Sequence, residues 1–465
     1  MVLMALSLLF SLLSIQTVYS EEYWTGTSGD DKPAAILYGS MGYVVVWNSG
    51  GYIYVTTIDL DGNVGNNTRI RIGERNVTAI DAVLNGTLLY IVANDVDNDT
   101  IFYVIKFDLG MYSIDYCRWF VLYNYSGQSM ASKPVAIDHG VLYGYDHVFV
   151  LIDSQGVATI LSLDPINGDI LSSLSIMITN STYTDMVYDN GYLHILGYVY
   201  VSNSYRILLV RTDMSAFNIT SSLILYGEQA VFVRPKSILV SKNTIYVLAG
   251  VGAGGAPAIY QYTGLFMYKA TDLSLVRYKI FSTTGYRFGY GLHNPNKIIN
   301  GSRGFYITGF LANSTDLGLQ DIFIAGFDYV SLNNTWAVKW DGFNGVERGV
   351  AITYGNGLVV TAGFSPIHNG VFDNVSLVEH TGYSVYSYGV TGEISEYNSL
   401  SDYVKCLVSN VSRVQGINDI VVLSVDEYGS PVPIPEPSDY ILYITITTLI
   451  LAFICVSLYM RRVIR

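Results

Sequence analysis

One local pattern recurs along the chain and restricts its fold more than any other feature. A short apolar strand is followed by a turn of Asn, Gly or Asp, then by a second strand of apolar and small residues. It reads "VLNGTLLYIVAND" from 83, "VYDNGYLHILGYVY" from 187, "LVSKNTIYVLAG" from 239, "IINGSRGFYITGF" from 298 and "ITYGNGLVVTAGF" from 352. Third strands that often close in Asp follow ("YIYVTTIDLDG", "FYVIKFDLG", "RILLVRTDMS", "FMYKATDLS", "DIFIAGFDYV"), then fourth strands such as "WFVLYN", "SSLILYG" and "TWAVKW". Gly and Asn at the tip between apolar strands signal antiparallel hairpins.

The first hairpin turn falls near residues 41, 85, 140, 190, 242, 301, 355 and 401. A period of roughly 44 to 58 residues with four strands per unit predicts an all-β fold, a β-propeller of four-stranded blades. Eight blades are expected. Seven, closed by shared terminal strands, is the alternative, because "DYVKCLVSN" and "DIVVLSVDEYG" supply only two strands of the last unit. No helical period of useful length occurs between 21 and 430.

Both ends are apolar. Residues 1–20 have signal-peptide length, with cleavage expected after Ser20. Residues 440–460 carry no charged side chain and suit a transmembrane helix, followed by the basic tail 461–465 with Arg461, Arg462 and Arg465. Between domain and span, the prolines of 431–439 stand at alternate positions and enforce an extended, stiff spacer. The expected layout is an ectodomain over 21–430, extracellular, on a single-pass protein of the cell membrane with its C-terminus cytoplasmic.

Composition fits that setting. A net charge of −13 argues against nucleic acid, whose phosphates need Lys and Arg, while 40 tyrosines and 50% hydrophobic residues suit sheet. N-x-S/T sequons at Asn66, Asn76, Asn85, Asn98, Asn124, Asn180, Asn218, Asn300, Asn313, Asn333, Asn374 and Asn410 point to a glycosylated surface. Of three cysteines, Cys455 falls in the apolar C-terminal run; the spacing of Cys117 and Cys406 does not require a disulfide, and buried free thiols are expected.

Little in the sequence carries chemistry. The six histidines (His139, His147, His194, His293, His368, His380) are dispersed without metal-ligand spacing, and His194 reads as a hydrogen-bonded core or channel imidazole. Asp95, Asp97 and Asp99 alternate like the opening ligands of a calcium loop, so calcium is the one metal considered. Thr100 and Lys106 stand where such a loop needs Gly and Glu, so the expected state is a solvated acidic turn and no cofactor. "DLDGN" at 59 and "DSQG" at 153 read as turns between third and fourth strands, and "GVGAGGAP" from 250 as a Gly-rich loop.

Two resemblances add expectations. "DIFIAGFDYVSLNNTWAVKWDGFNGVERGVAITYGNGLVVTAGFS" at 321–365, with its Val360–Thr361–Ala362–Gly363 step, resembles the propeller repeats of bacterial and archaeal cell-surface proteins. That family implies a fold and a setting, and no chemistry. Pro435, Glu436 and Pro437 before the span are similar to the PEP-type signals of exosortase and archaeosortase substrates, which implies a sorting enzyme as a partner. The expected function is a non-catalytic surface protein that contacts other surface proteins or glycans; a carbohydrate-active hydrolase or lyase at the channel mouth is the alternative.

Overall fold

The computed structural model describes residues 22–432 apart from short loop stretches, the longest being 254–261, 289–296 and 314–318. The signal segment 1–20, the PEP motif, the apolar run 440–460, Asn66, His293 and His368 lie outside the described residues. No helix among the described residues is long and apolar enough to cross a membrane.

Seven antiparallel sheets form the ring, one fewer than expected. Their channel-side strands are Lys32–Gly39, Val77–Asn85, Lys133–Leu142, Ser181–Asp189, Val231–Ser241, Lys297–Asn300 with Tyr286–Phe288, and Arg348–Gly355, in blades 1 to 7. Seven of the eight turn positions read from sequence are the inner hairpins of these blades. Four are two-residue turns with both residues at positive φ: Tyr143–Gly144, Asn190–Gly191, Lys242–Asn243 and Asn356–Gly357. That geometry matches the right-handed twist of the strands it joins.

The eighth position is not a blade. After the second strand of blade 7, Leu358–Ser365, the chain reverses and circles the ring from outside. Six short strands add a fifth edge to blades 6, 5, 4, 3, 2 and 1 in turn: Val371–Asn374, Leu377–His380, Val385–Gly389, Glu393–Ser395, Asn398–Tyr403 and Cys406–Val411. The chain then re-enters blade 7 as its third strand, Asp419–Asp426, and Glu22–Thr25 from the N-terminus supplies the fourth. The ring is thus closed by strands from both ends, as the seven-blade alternative required.

The belt is fastened by side chains as well as by its ladders. Cys117 and Cys406 form a disulfide across Cα atoms 6.2 Å apart, which corrects the expectation of free thiols. The belt brings together two residues that sequence separation kept apart. Close by, Arg118 stacks on Tyr403 at 4.5 Å and Arg69 donates to Ser409, and on blade 5 Lys279 pairs with Glu379 at 2.5 Å.

A hydrophobic cluster fills each of the seven junctions between blades. Central strands are therefore buried on both faces, which is why "YVVVW" and "LLYIVA" read as near-continuous apolar runs. Tyrosines serve as struts between blades. Tyr43 of blade 1 donates its hydroxyl to Gly355 O of blade 7 at 2.8 Å, and Tyr246 of blade 5 to Tyr329 O of blade 6 at 3.1 Å. Each buries a ring and satisfies its polar tip.

The Asp that closes third strands caps the turn that follows. Asp108 accepts from the amides of Gly110 and Met111, Asp213 from Ser215 and Ala216, Asp328 from Val330 and Ser331, and Asp426 from Tyr428 and Ser430. The repeated Asp is thus a local turn former.

Candidate functional site

Antiparallel blades place the first-to-second and third-to-fourth strand turns on one face of the ring. Second-to-third turns and the blade-to-blade crossings lie on the other. The channel between the faces is lined by the inner strands, six of which carry a β-bulge at matching positions (after Pro33, Ala79, Pro134, Tyr183, Pro235 and Gly349). Bulges there re-aim side chains into the channel.

A charged cluster occupies it. Asp81, Asp138 and Asp185 come from blades 2, 3 and 4, and Lys297 of blade 6 reaches Asp185 Oδ1 at 3.5 Å. Each carboxylate also accepts a backbone N–H from the next blade: Asp81 from Ile137, Asp138 from Tyr188, and Asp185 from Ile238 and from the Ser237 hydroxyl. Burial alone would lower the Lys297 ammonium, but Asp185, Asp81 and Asp138 more than offset that and hold it protonated. Burial pushes Asp138 up to about 7, against the pull of the Tyr188 and His139 amides. Lys236 of blade 5 is brought down to about 7 by burial and by Arg234. The three aspartates act here as links between blades, a role no linear motif announced.

At the channel mouth on the second-to-third turn face, a cleft of about 430 Å³ opens between blades 2, 3 and 4. Ile80, the bulge residue of blade 2, contributes to its lining, and Asn94, Asp99, Lys133, Asp153, Gln155 and Thr182 supply polar groups. Asp99, Lys133 and Gln155 are exposed. The Asn94 Oδ1 acceptor has no hydrogen-bond partner among the described residues. Asp153 is fixed, accepting from the amides of Gly156 and Tyr183, each at 3.0 Å, and burial raises its pKa. "DSQG" is therefore the second-to-third turn of blade 3, not a third-to-fourth turn, and it faces the cleft. The cleft offers donors and acceptors of both charge signs to a polar solute.

Asp95, Asp97 and Asp99 share one loop but do not converge. Asp95 Oδ1 accepts from the amides of Asp97 and Asn98, and Oδ2 from the Tyr103 hydroxyl at 2.8 Å. Asp97 accepts from Asn76, and Asp99 stands at the cleft. No group of three His, Cys, Asp or Glu side chains that could hold a metal occurs among the described residues.

His194 is buried in blade 4, its Nδ1 without a hydrogen bond among the described residues, and burial brings it down to about 4. It is a core imidazole, though the expected hydrogen bond at that nitrogen is missing. His139 contacts Asn85, His147 bonds Ser162, and His380 bonds Ser282. Exposed sequon asparagines are Asn76, Asn180, Asn218, Asn300, Asn333, Asn374 and Asn410; Asn85, Asn98 and Asn124 are half-buried. Asn313 lies in a described strand, Phe305–Asn313, while its side chain is outside the described set.

Glu347, in the crossing from blade 6 to blade 7, is 1% exposed, and its Oε1 has no hydrogen-bond partner among the described residues. Burial, with Asp321 and Asp341 nearby, pushes it up to about 7. A carboxyl raised on folding contributes stability below its unfolded pKa that is lost as pH climbs toward 7. Glu347→Gln should therefore gain about 1–3 kcal/mol at pH 8 and little at pH 4.5, measured as the difference in urea midpoints.

No family model matches the chain, and no curated protein does. Solved structures similar to it include the Dos1 propeller, at 13% identity and a TM-score of 0.39 over 77% of this chain and 94% of that one. Another is the quinohemoprotein alcohol dehydrogenase of Comamonas testosteroni, at 9% and 0.42 over 81% and 78%. A third is the extracellular region of plexin A4, at 8% and 0.46, of whose length this chain covers 50%. The chain's own seven sheets make it a seven-bladed β-propeller.

Proposed function

We propose that this propeller is the ectodomain of a membrane-anchored surface protein, and that it binds a polar ligand, a glycan or a polar segment of another surface protein, in the cleft between blades 2, 3 and 4. The observation that supports this reading is the set of exposed polar side chains on the cleft's lining, Asp99, Lys133 and Gln155. A sugar hydroxyl satisfies donors and acceptors together. In this reading 1–20 is a signal peptide cleaved after Ser20, the solvent-facing sequons carry glycans, and 440–460 anchors the chain with 461–465 inside. A sorting enzyme acting near Pro437 is the variant in which the anchor is exchanged for another attachment.

The test is a glycan and surface-protein binding screen of 21–432, run beside a hydrolase panel. Asp99→Ala, Lys133→Ala and Gln155→Ala together should weaken the best binder at least about tenfold, while Asp146→Ala on the opposite face should not. Unchanged binding by the triple variant would remove the cleft from the reading. Product release by the wild type would instead favour the hydrolase or lyase alternative.

A further inference from the structure

The most exposed apolar side chains are not scattered. Met111, Tyr143, Tyr145, Ile166, Val330 and Tyr428 are 67–77% exposed, and no other exposed large apolar residue among the described ones passes 57%. All six sit on the face of the first-to-second and third-to-fourth strand turns, opposite the cleft. The turn chemistry produces them. In blades 3, 6 and 7 the residue two after the capping Asp (Asp164, Asp328, Asp426) is Ile166, Val330 or Tyr428, and in blade 2 Met111 stands three after Asp108. An Asp cap fixes the turn, and the tip side chain is left largely exposed, Tyr428 with Arg303 over its ring at 4.5 Å.

The tail leaves close to that face. After the Asp426 turn the chain folds back for two residues, Pro431 bridging Val425 and Val432 bonding Ser424, beside the N-terminal strand. Seven residues, 433–439, then separate it from the apolar run, about 22 Å at full polyproline extension. A spacer this short keeps the apolar face within reach of whatever surface the run enters.

We infer that the ring rests this face on the lipid bilayer, with the tip side chains in the headgroup region and the cleft turned outward; this rests on the anchoring reading above. Apolar and aromatic tips suit the interface, and the net charge of −13 favours a zwitterionic over an anionic leaflet. Blades 2 and 3 form the firmest part of the contact, since Met111, Tyr143, Tyr145 and Ile166 all belong to them.

The test uses the full chain on a Cys455→Ala background, inserted into phosphatidylcholine nanodiscs, with an environment-sensitive fluorophore on Ile166→Cys, Met111→Cys or, as control, Val96→Cys on the opposite face. Labels at 166 and 111 should shift to the blue and lose emission to doxyl lipids, while the label at 96 should do neither. If the chain inserts and all three behave as in water, the inference fails and the anchor stands. If the chain does not stay with the discs, the anchoring reading falls and takes the inference with it. A blue shift at 166 that is as large in detergent at high protein concentration, without lipid quenching, would assign the face to a second copy of the chain and overturn the inference.

Discussion

Lys297→Met should lower the stability of the ring by about 3 kcal/mol at pH 8 and by much less at pH 5. The side chain faces three carboxylates from three blades and is mostly enclosed, with 26% of it reached by channel water. Removing the ammonium leaves Asp81, Asp138 and Asp185 facing one another with less compensation. The folded pKa values of Asp81 and Asp138, already raised by burial, then rise further above the unfolded values, so the variant's deficit grows with pH and shrinks as these carboxylates take up protons. Denaturant midpoints of wild type and variant at the two pH values check this, and adding Asp185→Asn should recover part of the loss at pH 8. Equal losses at both values would mean that packing, not charge, decides the effect.

Cys406→Ser should cost about 4 kcal/mol. The disulfide spans 289 residues, so it removes much freedom from the unfolded chain, and the benefit of a cross-link grows with the loop it closes. Wild type should lose the same stability on adding reductant, whereas the variant should show no further change. A simpler check precedes both: the denatured, unreduced chain should titrate one thiol, Cys455, and the reduced chain three. Three thiols without reductant would restore the expectation of free cysteines.

The contrast between these two features shows what the sequence could carry. The blades were legible because every inner hairpin must turn tightly, and residues such as Asn190–Gly191 and Asn356–Gly357 reveal that demand locally. The belt was not. Its strands, such as Leu377–His380 and Glu393–Ser395, are three to six residues long, half exposed and without hairpins, so their pairing depends on blades already present. Taking "DYVKCLVSN" for the start of an eighth blade followed from its apolar residues, which instead lie along blades 2 and 1. The cleft was hidden for a related reason: it draws Asn94, Lys133 and Thr182 from three blades, and no spacing within one unit connects them. The acidic turn at 95–99 was visible as a pattern. Which of its oxygens backbone amides would occupy was not.

The belt also fixes an order in time. A ribosome delivers blades 1 to 6 and half of blade 7 before any residue of the encircling segment exists, and that segment can be laid down only on outer strands already in place. Asp419–Asp426 comes last, and only then does Glu22–Thr25, the first segment made, acquire its neighbour. Contacts this distant in sequence make for slow folding. For the whole of synthesis the nascent chain is an open arc with two unpaired ends and six uncovered edges, the condition in which sheets join the wrong partner. Chains that export or fold under crowding should accordingly fail late and all at once, as full-length arcs that never closed.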